Sequence, residues 1–531
     1  MEKLWLWIGA AAILALLAFV WTCISYDRDL LPKNLPWGGY KTGSWLVIPR
    51  ASFTELWTGH RLLQDGYEDY GKRGKPWIAP NRTWDHQVML PPEHAKWLVD
   101  QPDSVLQPFK PFLQDLGFLY YLPPPEGLAK FLAHEFGTMS WEKTAADVSD
   151  EVARSTQLFL GSRPGESVSF DLNDTFQTIL SNIGTRVFLG PELAQNEEFL
   201  DFTMKKLFGY ILPANLYLRA ITPLYLQFAV LWPLFQLPVR FYEWRARRSM
   251  RPIIKQYLAA AQANKEKGKE IQSPTILENI ARLAVDSPNH GDRRPDVVTR
   301  RVLMYSLFEG LNVGVQVIAT IANNTLPLIL LDGPDLWKRL RAEAAAVQAE
   351  GPWTKTSVSR LVLLDSVLRE GARLTPVKVR NIERFVAGED GVTLPNGVFV
   401  PSGVAVGMSS VQIHTDDRFY PDGERFIADR FVGKDGETFA GVSQTYQVFG
   451  IRGKHVCPGR FVAAHLAKVF FAYLVLNYDF DEVKARPGGL WISDHWFPHT
   501  MTVTCRRRGP EGDVKDGLEK NDVVTGKEKA A

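Results

Sequence analysis

The run from Phe449 to Leu466 constrains this chain more than any other stretch. It reads Phe-Gly-Ile-Arg-Gly-Lys-His-Val-Cys-Pro-Gly-Arg-Phe-Val-Ala-Ala-His-Leu, with Cys457 at its centre. Pro458 follows the cysteine, and an apolar-periodic stretch follows the proline. Proline is favoured at the first position of a helix, where its missing N–H is not needed and its fixed φ already fits. Cys457 is therefore expected at a helix N-terminus, where open backbone N–H groups and the positive end of the helix dipole favour a thiolate. Gly450, Gly453 and Gly459 let the backbone approach a flat object closely. Arg452, Lys454, His455 and Arg460 place positive charge beside it. A thiolate, a tight glycine loop and neighbouring cations suit a haem with two propionates, and thiolate ligation favours O–O cleavage. The bland alternative is a buried thiol acting as a small hydrophobe; the surrounding residues weigh against it.

The other two of the three cysteines stand elsewhere, Cys23 in an apolar N-terminal stretch and Cys505 near the end of the chain. So few cysteines in 531 residues exclude a disulfide scaffold and a multi-zinc protein. Lys+Arg at 61 nearly balances Asp+Glu at 59, which leaves no electrostatic case for nucleic acid as a partner. Several catalytic motifs are absent. Gly453-Lys454 is no P-loop, because Val448 stands at the first glycine position and His455 at the Ser/Thr position. His134-Glu135 lacks the second histidine of a zinc peptidase, since Thr138 stands there. Ser443 lacks the closing glycine of a nucleophile elbow.

Long amphipathic stretches predict helices over Ser169–Leu189, Arg240–Ala261, Asp296–Asn324 and Asp335–Gln348. Short β-type runs at Gly391–Leu394 and Val398–Val400 are separated by Pro395-Asn396-Gly397. Helices first, then a small sheet, then helix: this order predicts a mainly α, α+β fold rather than βαβ alternation.

The segment around Cys457 resembles the haem-binding signature of the cytochrome P450 family, and Cys-Pro-Gly-Arg-Phe resembles its fungal, membrane-bound branch. Gly453, His455, Cys457 and Gly459 fall at the family's positions; Phe449 stands one residue further from the cysteine, with Arg452 in the inserted place. Upstream, Glu370-Gly-Ala-Arg373 resembles the ExxR helix, and Phe426-Ile-Ala-Asp-Arg430-Phe the segment after it, with Ala428 for the usual proline. Leu394-Pro-Asn-Gly397, His414-Thr-Asp416 and Leu340-Arg-Ala-Glu343 also match in order. Glu370 and Arg373, at i and i+3, share a helix face. With Arg430 they resemble the family's buried ion-pair triad, a structural device that holds the cysteine loop. The resemblance implies haem b as cofactor, Cys457 as the iron's axial ligand, and Phe449, Gly453, Lys454, His455 and Gly459 around the haem. It implies a haem lying between a long central helix and the helix after the cysteine loop.

The family's central helix carries an acid or histidine followed by threonine, which help deliver protons during oxygen activation. The matching stretch here is Phe308-Glu309-Gly310-Leu311-Asn312-Val313-Gly314. Gly310 keeps room for oxygen, but Asn312 replaces the acid and Val313 the threonine. Two readings follow: a monooxygenase whose protons come through water, which Asn312 could order, or an enzyme that rearranges, isomerises or dehydrates an oxygenated substrate. Glu309 is a further proton donor if it faces the pocket. A third reading is a haem-binding protein without turnover.

Leu4–Ile24 contains no charged residue, and twenty-one residues give about 31 Å of helix, close to a bilayer's hydrocarbon core. It reads as a single N-terminal transmembrane anchor, with a cleaved signal or a buried helix as the rivals. The expected plan is an anchor over 1–26, a proline-rich hinge over 27–40, a catalytic domain over 41–505 and a polar tail over 506–531. Residues 211–239 are very apolar but broken by Pro213, Pro223, Pro233 and Pro238. They read as a buried loop–helix pair or as a lid dipping into the membrane. Charge flanking the anchor leans toward a cytosolic body. By resemblance the protein sits on the endoplasmic reticulum membrane and takes electrons from NADPH–cytochrome P450 reductase, with cytochrome b5 as an optional second donor. Its substrate would be a lipophilic secondary metabolite: a terpenoid, polyketide or alkaloid.

Overall fold

The computed structural model describes residues 31–40, 47–82, 86–108, 141–207, 232–269, 275–306, 312–375 and 377–509, with isolated positions besides. The helices that build the site are α1 (Val47–Asp69), α2 (Trp141–Leu160), α3 (Leu172–Leu189), α4 (Trp232–Glu266), α5 (Pro295–Tyr305), α6 (Asn312–Asp332), α7 (Pro334–Ala349), α8 (Val362–Arg373) and α9 (Arg460–Asn477). The strands are β1 (Trp77–Ala79), β2 (Gln87–Met89), β3 (Leu106–Gln107), β4 (Ser167–Asp171), β5 (Arg380–Val386), β6 (Val392–Thr393), β7 (Phe399–Val400), β8 (Ala405–Ser409), β9 (Tyr478–Phe480), β10 (Gly489–Ile492), β11 (His495–Pro498) and β12 (Thr502–Arg507). The fold is mainly helical with small sheets, as the order of periodicities predicts.

One large core joins α2, α3, α4, α6, α8 and α9 through side chains such as Phe176, Ile183, Leu326, Leu368 and Phe470, all buried. Each such side chain contributes roughly 1.5–3 kcal/mol by leaving water. Among the described residues, Val315–Asp332 and Arg460–Asn477 are apolar and long enough to cross a membrane, yet 67% and 72% of them are buried inside the molecule. A helix apolar on all sides belongs in a core, and these two form its centre. A second core lies under the five-stranded sheet, ordered β1-β2-β8-β5-β3, in which β2 and β8 run parallel.

Three boundaries differ from the sequence expectations. Ser169–Asp171 is strand, not helix: Ser169 pairs with Thr504 and Asp171 with Thr502, and Asp171 then caps α3 by accepting from the Asp174 N–H. The polar tail does not begin at Arg506. Arg506 lies opposite Ser167 and Asp479, and Arg507 covers the Tyr478 ring at 4.9 Å, so these cations belong to β12. Nor does Pro238 break the chain into a loop. It lies inside α4, where Val239, Ala246 and Met250 are buried and hold the helix through it. Residues 211–231 lie outside the described residues. Of the apolar 4–24 stretch, Ile13, Leu14 and Leu17 are described, helical and exposed.

The β10–β11 hairpin is locked to β5 and α1 by buried charge. Arg380 donates to Glu55 at 2.7 Å and stands 3.4 Å from Asp494 at the hairpin tip. Arg380 lies beside the carboxyl of Asp494 and holds it well below the ordinary carboxylate range. The Val379 N–H donates to the Asp494 carbonyl at 2.9 Å, which fixes the start of β5 between the hairpin and the cysteine loop.

Candidate active site

Glu370 and Arg373 stand one turn apart at the end of α8, and Arg430 comes from a loop sixty residues on. The structure brings all three together. Arg373 grips the Glu370 carboxylate with two prongs, Nε to Oε2 and Nη2 to Oε1, both at 2.7 Å. Arg430 Nε donates to Oε1 at 2.9 Å, and the Ile427 N–H to the same oxygen at 3.1 Å. The side chains are 0%, 0% and 7% exposed for Glu370, Arg373 and Arg430. Two guanidinium groups on one carboxylate leave donors over, and backbone carbonyls take them. Arg373 Nη1 donates to the carbonyls of His414 and, at 2.5 Å, Gly423. Arg430 reaches the carbonyls of Pro421 at 2.6 Å and Asp422 at 3.1 Å. A buried ion pair is tolerated only when its remaining hydrogen-bonding groups are met in this way. The cluster staples residues 414–430 to α8, and the chain then enters the cysteine loop.

His414 continues the connection. Its Nε2 accepts from the Gln447 N–H at 2.9 Å, two residues before Phe449. Burial, with Arg373 and Arg369 nearby, pushes its pKa down to about 3. The folded state thus binds a proton less readily than the unfolded chain, whose histidine titrates near 6.5. Stability from neutral His414 is full above about pH 6.5 and declines as pH falls toward 3. The melting temperature should fall between pH 6.5 and 5, with a shallower fall in His414→Gln; calorimetry at three pH values checks this.

The cysteine loop closes where the Cys457 N–H donates to the Phe449 carbonyl at 2.9 Å. Three residues turn through positive φ to make that closure, Gly450 at 103°, Gly453 at 148° and His455 at 61°. The residue in excess of the family's spacing is absorbed in this turn. Phe449 stays buried, edge-on to Phe439 at 5.5 Å. A side chain at Gly453 would also press on Val99, since a Cβ there would lie 3.0 Å from Cγ2. The helix begins later than Pro458: α9 starts at Arg460, with Gly459 as its N-cap. Cys457 and Pro458 form the turn that leads in, and the Cys457 carbonyl accepts from Arg460 Nη1 at 3.1 Å. The Cys457 side chain is exposed and in no disulfide.

His455 Nε2 pairs with Asp103 Oδ1 at 2.7 Å, which ties the loop to the segment after the first sheet strands. Lys454 is exposed. One neighbour escapes sequence reasoning. Arg384, on β5, is buried, and its Nη1 donates to the Glu383 carbonyl at 2.9 Å. Burial pulls its pKa down to about 10 against the attraction of Asp103 and Glu383. A guanidinium held in so dry a place is a ready partner for an anionic group. The only signal was its register: β5 alternates buried and half-buried from Arg380, so Arg380 and Arg384 face inward together.

The long central helix is described on both sides of a short stretch. α5 ends at Tyr305 and α6 begins at Asn312. Glu309 and Gly310 lie outside the described residues, as do the side chains of Asn312 and Val313. Among the described residues no cluster of three metal-ligating side chains occurs. That leaves a single exposed thiol beside a helix start, in a glycine turn, with a buried cation and a histidine–carboxylate pair nearby. This donor set fits an iron porphyrin with one protein ligand, and it defines a thiolate-ligated haem protein.

Comparison with known proteins places it more closely. Residues 126–488 match the cytochrome P450 family model. The cytochrome P450 monooxygenase polB of Polytolypa hystricis is 27% identical over 509 residues, covering 91% of this chain and 94% of that one. The cytochrome P450 monooxygenase nodZ of Hypoxylon pulicicidum is 27% identical over 524 residues, covering 93% and 96%. The cytochrome P450 monooxygenase fsoD of Humicola fuscoatra is 26% identical over 546 residues, covering 96% and 98%. The chain belongs to the cytochrome P450 family. It is an oxidoreductase of that family, whose members use a haem-thiolate iron, a separate redox partner and a small-molecule substrate.

Proposed function

We propose that this enzyme is a membrane-anchored haem-thiolate monooxygenase that oxidises a lipophilic fungal secondary metabolite with O2 and NADPH-derived electrons. The observation that carries the reading is the presentation of Cys457: an exposed thiol fixed by the Phe449 carbonyl at the start of α9. Haem b bound there supplies oxygen activation, with the thiolate pushing electron density toward iron. The chain's own residues hold and shape that site. Phe449 packs beneath the loop, Gly453 and Gly459 leave room for a flat ring, and Arg384 with the His455–Asp103 pair offers charge for the propionates. Glu370, Arg373 and Arg430 are positioning residues that keep the loop in register. Glu309, Gly310 and Asn312 are assigned to oxygen and proton delivery.

NADPH–cytochrome P450 reductase is the electron donor in this reading, with cytochrome b5 as an optional second donor. The anchor over residues 4–24 holds the catalytic domain on the cytosolic side of the endoplasmic reticulum membrane. Removing residues 1–26 should release the protein into the soluble fraction, and unchanged tight membrane binding would transfer the anchoring role to residues 211–239.

Product formation should require both NADPH and O2. Val313 and Gly314 bear no hydroxyl where the family has threonine, which favours a second reading, rearrangement or dehydration of an already oxygenated substrate. Turnover without NADPH or O2 would establish that second reading in place of the first. Haem binding without turnover on any pathway intermediate would leave a non-catalytic haem protein. Metabolite profiling of a strain lacking the protein identifies the substrate.

A further inference from the structure

Where α3 crosses α6 the helices touch closely, and the contact is polar. A Cβ on Gly184 would lie 2.6 Å from the Val315 side chain, so the two backbones meet there. Around that contact Ser181, Asn182 and Thr185 are buried, and Ser181 Oγ, Asn182 Oδ1 and Thr185 Oγ1 have no hydrogen-bond partner. On α6, Gln316 Nε2 and Asn323 Oδ1 are in the same condition. Yet both residues bond to α3 through their other atom. Gln177 Nε2 donates to Gln316 Oε1 at 2.5 Å, and Asn323 Nδ2 donates to Asn173 Oδ1 at 2.7 Å. Five unpaired polar atoms along one buried helix contact are far outside the usual pattern, in which such groups are met by protein or by bound water. Buried water with two to four polar partners is the ordinary remedy.

This polar seam has an outer end and an inner end. Outward, Asn182 Nδ2 donates to Ser155 Oγ at 3.2 Å, and Ser155 Oγ donates to Glu151 Oε1 at 2.6 Å. Glu151 is 1% exposed, and its partner Arg154, 41% exposed, reaches solvent from α2. Inward, Val315 is one turn from Asn312, where α6 begins. That is the turn in which Asn312 and Val313 replace the family's acid and threonine.

We propose that the seam is a water-bearing proton path, leading from Glu151 through Ser155 and waters held by Asn182, Ser181 and Thr185 to the first turn of α6. The proposal rests on the monooxygenase reading, since oxygen reduction consumes protons that this turn cannot supply from its own side chains. Protonated Glu151 gives its proton to Ser155, whose hydroxyl proton passes to the water on Asn182 Oδ1. Glu151 regains a proton from solvent, so nothing accumulates. These residues touch neither substrate nor cofactor and act by position.

The test uses the full-length holoenzyme with its reductase. Glu151→Gln and the double variant Ser181→Ala/Thr185→Val should each raise the solvent deuterium isotope effect on NADPH consumption. Each should also lower product formed per NADPH several-fold, with the reduced-CO spectrum unchanged. Ser155→Thr, which keeps the hydroxyl, should behave as the wild type. Unchanged isotope effect and coupling in both variants would overturn the path. A readout without turnover is the sign of the stability change. If the seam is wet, Thr185→Val loses a hydrogen-bonded water and melts lower; if it is dry, removing an unpaired hydroxyl leaves melting unchanged or higher, which overturns the proposal. Ordered waters within hydrogen-bonding distance of these atoms in a crystal structure would support it, and their absence would not. If the wild-type holoenzyme consumes no NADPH, the monooxygenase reading fails and the path falls with it, while melting and water density still report on hydration separately.

Discussion

Cys457→Ser should leave a folded protein that has lost its thiolate spectral signature and all measurable turnover. The reason lies in how the loop is held. Its closure uses backbone atoms, the Cys457 N–H on the Phe449 carbonyl, and its shape comes from positive φ at Gly450, Gly453 and His455. None of these depends on the sulfur. Serine fits the same turn, and the exposed position gives no packing to lose. A serine hydroxyl, however, is not deprotonated at neutral pH as a thiol at a helix start can be. The variant should therefore melt close to the wild type, while haem content falls steeply and any bound haem shows no thiolate-type band. Absorbance of the reduced, CO-treated variant checks this. A retained thiolate-type band would move the ligand elsewhere.

Glu370→Ala should be the most damaging substitution to the fold. It removes the single carboxylate between Arg373 and Arg430, in a place where Arg373 has no exposure at all. Breaking one partner out of a buried ion cluster costs about 3–5 kcal/mol, because the remaining charge is stranded. That is a large share of the roughly 5–15 kcal/mol that holds a domain together. The damage reaches the site directly. Arg373 and Arg430 anchor the carbonyls of His414, Pro421, Asp422 and Gly423, and His414 in turn receives Gln447 beside the cysteine loop. Little soluble protein and no haem loading are expected, measured as yield and haem-to-protein ratio. Glu370→Asp, with a shorter reach to the same two arginines, should recover part of both. Normal loading in Glu370→Ala would show that the cluster does not hold the loop.

Much of the site was legible in the sequence because it is local. Cys457, its proline and its glycines occupy one short run, and Glu370 and Arg373 share a helix face by spacing alone. Arg430 was reached only through resemblance, since nothing in its own neighbourhood marks a residue that will meet a carboxylate sixty positions back. The long helices were legible from periodicity. The strands were not, for two physical reasons. β1, β2 and β3 are two or three residues long and carry too little alternation to detect. β4 is a strand only because β12 pairs with it from the far end of the chain, Ser169 against Thr504. Arg384 illustrates a different blindness. On β5 the buried face carries arginines, so hydrophobic alternation points the wrong way. The polar seam between α3 and α6 was hidden for the same reason: serine, asparagine and threonine at core positions read as a solvated face until the second helix lies against them.

The central claim is that Cys457 presents a thiolate to haem iron in a functioning oxidase. The most direct measurement is the difference spectrum of the purified full-length protein, reduced and then exposed to CO. The account predicts a Soret band at the thiolate-type position, with haem bound near one per chain. A band at the position typical of an imidazole-ligated haem, or no haem bound at all, would contradict it.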